Sequence, residues 1–221
     1  MASSFPERRL PVEYFYLGAD MGGKKFDKLP IRRELENDLL KAPFYLMVGT
    51  IQPHKGHLTV LEAFEQMWKE GFSGKLSIVG RLGGKGDEVM KRLRTSKYFG
   101  KTLFVYHDAN DTELDLLYRH TEALVLASYA EGFGLPLVEA MDLSVPVIAS
   151  DLPVFREIGG DYPNYFVPGS SVDLFRVIRK REKGGGSGKE RGIRKWMAWD
   201  EAVLILSEKL ISCYKEAKIQ A

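Results

Sequence analysis

"EALVLASYAEGFGLPLVEAMDLSVPVIASD" (122–151) carries the pattern that decides the fold. Its first part, EALVLAS (122–128), is an unbroken apolar run too short for a helix and without strict alternation. Such a run reads as a strand covered on both faces. A Gly-Phe-Gly-Leu-Pro turn follows, and Pro136 falls in the first turn of the helix predicted over 135–143. At that position the missing N–H sacrifices no hydrogen bond. A second apolar run, SVPVIASD (144–151), comes next. Strand, helix and strand in that order form the crossover unit of a parallel sheet.

The same alternation extends in both directions. Strands are predicted at FYLMVG (44–49), GKLSIVG (74–80), KTLFVYH (101–107) and YPNYFVP (162–168). Helices are predicted at 56–71, 86–99, 110–121, 171–182 and 199–218, with Asp111 or Thr112 capping the third. The expected fold class is α/β, a Rossmann-like doubly wound parallel sheet. Right-handed crossovers bring the C-terminal ends of the strands to one edge, where ligands bind. Residues 1–43 read as an N-terminal extension or interdomain linker, with VEYFYLGAD (12–20) a lone strand or linker and 31–40 a short helix. Residues 44–183 and 191–221 read as one domain. The segment 184–190, within KGGGSGKE, has the composition of a flexible loop, natural or engineered in place of a deleted one.

Composition narrows the function classes. Of 221 residues, 44% are hydrophobic and 28% charged, as in ordinary globular proteins, and the net charge of +2 is too weak to argue by itself for a nucleic-acid or anionic-membrane partner, so no nucleic acid is expected. The single cysteine, Cys213, excludes an internal disulfide and a cysteine zinc cluster and fits a reducing cytosol. His54, His57, His107 and His120 show no metal-ligand spacing, so no metal is expected.

Two turns carry chemistry. In VGTIQPHKGH (48–57), Gly49 and Gly56 flank Lys55 just before a helix. Glycines let backbone approach a ligand, a helix N-terminus offers N–H groups, and Lys55 adds a full charge; together they suit a phosphate. In YAEGFGLPLVEAM (129–141), the amides near Gly134 and Leu135 open a second helix start toward the same edge. Glu139, one turn in, suits either the paired hydroxyls of a ribose or a plain solvent-facing carboxylate in the early helix dipole. Glu131, before the turn, is either a contact to a reacting sugar or a capping or loop carboxylate. The backbone of VYHDAND (105–111) ends a strand where a base could lie.

These motifs, in this order, resemble the C-terminal, donor-binding half of the retaining GT-B glycosyltransferases, a family that includes many mannosyltransferases of bacterial polysaccharide assembly. The resemblance rests on EGFGLPLVEAM with two glutamates separated by seven residues, on VGTIQPHKG, LYRHTEALVLAS and PVIASDLPVFREIGGD, and on the last helix led by Trp199. It implies that Gly49, Thr50 and Lys55 meet the donor diphosphate and that Gly134 and Leu135 bind phosphate or sugar. It also implies that Glu139 holds the ribose, that Tyr106 and His107 lie near the base, and that Glu131 with Lys55 acts at the reacting centre. It implies a nucleotide sugar as donor, GDP-mannose by the Thr-containing first motif, with no cofactor. The acceptor would be a glycan or lipid-linked sugar held by an N-terminal domain, so these residues alone are expected to transfer little or nothing. The location implied is cytoplasmic, peripheral at the inner membrane face for the full-length protein. Thr50 and His54 stand where the family often has arginine, and Leu143-Ser144 where it usually has glycine. The competing reading is an interaction or regulatory module of the same architecture with no donor site in use.

Overall fold

The computed structural model describes residues 12–20, 29–184 and 196–219. They divide into two compact units, Met21–Lys195 and Met1–Asp20 with Trp196–Ala221. The helix 199–218, which the sequence reading joined to the sheet domain, therefore groups with the front segment instead. In that smaller unit Trp196 Nε1 donates to the Leu17 carbonyl at 2.7 Å and Ala19 N to Met197 O at 3.0 Å, a packing role for Trp196. The Gly-rich stretch from 185 onward lies outside the described residues.

The larger unit is a six-stranded sheet. Its strands are β1 Phe44–Val48, β2 Lys75–Val79, β3 Leu103–Tyr106, β4 Ala123–Leu126, β5 Val147–Ser150 and β6 Asn164–Phe166. Every pairing is parallel and the spatial order is β3-β2-β1-β4-β5-β6. This is the doubly wound arrangement, and all six predicted strands are present. The connecting helices are α1 His57–Lys69, α2 Gly86–Arg94, α3 Asp111–His120, α4 Leu135–Asp142, α5 Pro153–Gly159 and α6 Ser171–Glu182. The short helix predicted at 31–40 is a single π turn, Leu35–Leu39. Helix α5 had not been predicted.

The central strands β1 (FYLMV) and β4 (ALVL) are apolar throughout because both faces are covered. Tyr45, Met47, Leu76, Ile78 and Val125 share one core with Phe64 and Met67 of α1, Leu93 of α2 and Ile178 of α6. The alternate β1 residues, Phe44 and Leu46, are equally buried and face the other side, where α3 and α4 contact the sheet. Trp68 keeps its indole N–H satisfied at 2.8 Å by Gly74 O.

Helix ends follow local chemistry. The cap of α3 is Asn110, not Asp111 or Thr112. Its side chain accepts from Glu113 N at 3.0 Å, and the Glu113 carboxylate accepts from Asn110 N at 3.1 Å. Helix α4 ends with Ser144 N donating to Met141 O at 3.1 Å and Val145 N to Ala140 O at 2.7 Å, a Schellman arrangement. Ser144 therefore adopts φ 56°, a left-handed conformation that glycine takes without strain. The departure from the family's glycine is thus a strained position. Ser144→Gly should raise stability by about 0.5–1 kcal/mol and raise Tm in a calorimetric scan; an unchanged or lower Tm would show the strain to be absent.

The first turn of α1 carries a buried histidine, His57, 2% exposed, with Nδ1 3.3 Å from Gln52 O. Burial, with lesser repulsion from Lys55 and His54, pushes its pKa from 6.5 down to about 4. The unfolded chain takes up this proton below about pH 6.5, whereas the folded chain resists until about pH 4. Stability should therefore decline as pH falls through that window, by at most roughly 3 kcal/mol from this group. Denaturant titrations at pH 7, 5.5 and 4.5 should show the decline, and His57→Gln should flatten it whatever its effect at pH 7.

Candidate functional site

The strand order reverses between β1 and β4. In doubly wound sheets that switch point opens a crevice at the C-terminal edge. A cavity lies there, lined by Gly49 after β1, by Ala127 and Ser128 after β4, and by Lys55, Glu131 and Gly134.

Two contacts pin the loop after β1 to the loop after β4. Gly56 adopts φ 72°, and a Cβ there would stand 2.0 Å from the Ala127 carbonyl oxygen. Tyr129 N donates to His54 O at 2.8 Å. Lys55 sits between these two points. Its ammonium donates to both oxygens of Glu131, at 2.8 and 2.6 Å. The lysine side chain is 23% exposed and the glutamate 14% exposed, so solvent screens the pair only partly.

Helix α4 begins at Gly134, φ 95°, with no side chain capping its first turn. A Cβ on Gly134 would stand 2.8 Å from the Phe155 ring, so α5 closes the cavity from behind. Pro136 stands in the first turn, as the sequence predicts, and Leu135 is exposed at the helix start. Glu139 does not line this cavity. Its Oε2 accepts at 2.7 Å from the hydroxyl of Tyr118, which is fully buried on α3. Burial, followed by the Glu139 carboxylate, raises the Tyr118 phenol well above its usual value, so it stays a donor.

The remaining predicted residues lie further along the same edge. Thr50 is exposed beside the loop after β2, which Gly83 N anchors to Ile51 O at 3.1 Å. Tyr106 ends β3 and lies under the Arg32 guanidinium, 5.3 Å from ring centre to carbon. His107 lines a separate groove with Arg81, Asp87, Lys91 and Arg94, and its Nδ1 is buried with no hydrogen-bond partner among the described residues. The structure thus brings Gly49, Lys55, Glu131 and Gly134 into one cavity. It places Thr50, Tyr106 and His107 toward the β3 side and Glu139 against α3.

Sequence reasoning missed several residues around the site. Arg32 donates to Glu113 through Nε and Nη2, both at 2.8 Å, and to Asp108 at 2.9 Å, clasping the loop after β3. Tyr118 and Phe155 carry no spacing that distinguishes them, and His57 enters the sequence reading only as a possible metal ligand. Among the described residues no three His, Cys, Asp or Glu side chains come together as a metal-binding group, and no helix is long and apolar enough to cross a membrane.

The model of the family "Glycosyl transferases group 1" matches residues 31–186. The serotype-specific mannosyltransferase WbdA of Escherichia coli is 35% identical over 210 residues, covering 93% of this chain and 26% of that protein. The O-antigen chain mannosyltransferase RfbU of Salmonella typhimurium is 33% identical over 143 residues, 65% of this chain and 39% of that protein. The chain thus spans about a quarter of the length of WbdA. Among solved structures, sucrose-phosphate synthase from Thermosynechococcus elongatus superposes with a TM-score of 0.68 at 22% identity, over 91% of this chain and 50% of that one. HepE of Anabaena, in complex with UDP and glucose, superposes with a TM-score of 0.64 at 18% identity, over 78% of this chain and 49% of that one. The sheet and its helices have the architecture of the C-terminal half of a GT-B fold. By the match of its residues 31–186, this chain belongs to the group 1 glycosyl transferases.

Proposed function

We propose that this chain is the nucleotide-sugar-binding part of a retaining mannosyltransferase acting in bacterial polysaccharide or O-antigen assembly, with GDP-mannose as donor and no metal or other cofactor. The observation that carries the reading is the meeting of Lys55 and Glu131 in the cavity at the β1/β4 switch point. That cavity holds one cation for a diphosphate and one carboxylate for sugar hydroxyls, at the edge where this fold class binds ligands. The mannosyltransferase names of the relatives support the sugar, and HepE, a protein of similar fold in complex with UDP and glucose, supports a nucleotide and a sugar as ligands.

In the reaction, the bond between the anomeric carbon and the β-phosphate oxygen breaks while the acceptor oxygen bonds to that carbon from the same face and its hydroxyl proton passes to the departing diphosphate. Negative charge accumulates on the departing diphosphate. Lys55 and the start of α4 stabilise it as preorganised donors. Glu131 accepts from hydroxyls of the donor sugar, and Glu139, steadied by Tyr118, accepts from the ribose. The base lies toward Tyr106 and His107. Neighbouring strands lie about 4.8 Å apart, so a ligand running from β4 to β3 covers roughly 14 Å of the edge. The acceptor belongs to parts of the longer relatives that this chain does not span, and membrane attachment would come from there as well.

A charge-assisted contact of Lys55 to phosphate is worth about 1.5–3 kcal/mol. Lys55→Ala should therefore weaken GDP binding at least tenfold in titration calorimetry, since about 1.4 kcal/mol is a factor of ten. Equal affinities for the variant and the parent would overturn the phosphate role. Glu139→Ala should weaken GDP severalfold and leave inorganic pyrophosphate unchanged. Matching losses for both ligands would remove Glu139 from the ribose.

A further inference from the structure

The ion pair between Lys55 and Glu131 has a consequence for which ligands the site retains. Glu131 takes both hydrogen bonds of this pair from one ammonium, and Lys55 is the side chain bonded to it among the described residues. The pair forms without either loop having to move, because Gly56 against Ala127 and Tyr129 N to His54 O fix the two backbones. Both partners are mostly buried, so their attraction is screened less than that of a surface pair.

A diphosphate that enters must take the ammonium from this carboxylate. The displaced Glu131 is then left beside new negative charge and requires other donors. A sugar still attached to the diphosphate supplies hydroxyl groups. A spent nucleoside diphosphate has only its ribose hydroxyls, which the proposed reading places at Glu139, and supplies none at Glu131. We infer that Glu131 is a specificity-determining residue, a competing anion for Lys55 that favours the intact nucleotide sugar over the nucleoside diphosphate left after transfer. When the sugar has gone, Glu131 recaptures Lys55 and drives the by-product out. Removing the carboxylate should then tighten by-product binding, the opposite of what losing a simple ligand contact would do.

The inference rests on the diphosphate reading of Lys55, and a double-variant cycle separates the two. The 221-residue chain, Lys55→Ala, Glu131→Gln and the double variant are titrated with GDP and with GDP-mannose. Glu131→Gln keeps the side-chain size and removes the charge. It should bind GDP at least threefold more tightly than the parent, while its affinity for GDP-mannose rises less or falls. In the Lys55→Ala background the gain for GDP should shrink below twofold, because no ammonium remains to compete for. If Lys55→Ala weakens GDP but Glu131→Gln does not tighten it, the competing-anion role is overturned and the phosphate reading stands. Equal gains in both backgrounds would reduce the effect to plain charge repulsion and likewise overturn it. If Lys55→Ala leaves GDP binding unchanged, the phosphate reading itself falls.

Discussion

The arrangement of the site depends on the closeness of Gly56 to the carbonyl of Ala127. No residue with a Cβ fits there, since that atom would lie 2.0 Å from the carbonyl oxygen, and the φ of 72° is itself costly for other residues. This contact sets the loop after β1 directly on the loop after β4. It also defines where Lys55 stands, one residue before the pinned glycine. The Tyr129 N–H to His54 carbonyl bond makes the join two-point, so the loops cannot pivot about a single contact. Neither contact involves a side chain that could meet a ligand. The backbone thus holds the geometry, and the Lys55 and Glu131 side chains remain available to exchange partners.

The sheet explains why this join falls where it does. From β1 the chain crosses to β2 through α1, and from β4 to β5 through α4. The two crossovers run in opposite directions across the sheet and, both being right-handed, place their helices on opposite faces. Helix α1 accordingly belongs to the core with α2 and α6, while α4 packs beside α5. Two adjacent parallel strands whose helices depart to opposite faces leave a gap between their ends, and the ends of α1 and α4 face it. The cavity with Lys55 and Glu131 is that gap. Its position follows from strand order alone, before any side chain is considered.

Much of this was legible in the sequence, for identifiable reasons. Strands buried on both faces appear as unbroken apolar runs, as FYLMV and ALVL do at the centre of the sheet, and the alternation with helices placed the others. Pro136 marked the start of α4 because proline is tolerated only in a first helical turn. Helix α5 escaped because DLPVFREIGG has seven helical residues closed by two glycines, too short for a periodic signal. The α3 cap lies one or two residues before the expected ones, since Asn110, Asp111 and Thr112 all have capping chemistry and only the reciprocal Glu113 bond selects Asn110. Lys55 and Glu131 could each be singled out from their turns. Their mutual bond spans 76 residues and could not be read from either turn. The same holds for Tyr118 with Glu139 and for Arg32 with Glu113, where a helix-face tyrosine and a surface-like arginine carry no local mark of their partners.

Three carboxylates along this side of the sheet differ in how firmly they are held, and the difference bears on what each can do. Glu113 is 1% exposed and accepts from the Arg32 guanidinium, from the Arg32 amide at 2.9 Å and from the Asn110 amide. Burial opposes its charge, yet the bonds from Arg32 and the amides outweigh that and hold its pKa below the usual carboxylate range. Removing any one of those donors would leave a buried charge poorly compensated, so Glu113 is fixed in a structural role. Glu139 is oriented at one oxygen by a neutral phenol that cannot itself leave the core. Such a group is aimed, and it serves best as a stationary acceptor. Among the described residues Glu131 is bonded by one flexible ammonium in the lining of a cavity. A lysine on its four-carbon stem can turn to another anion without disturbing the backbone, which the Gly56 and Tyr129 contacts keep in place. Of the three, Glu131 has the partner most able to turn away without stranding a fully buried group, which is why the proposed partner exchange is assigned to the Lys55 end of the cavity.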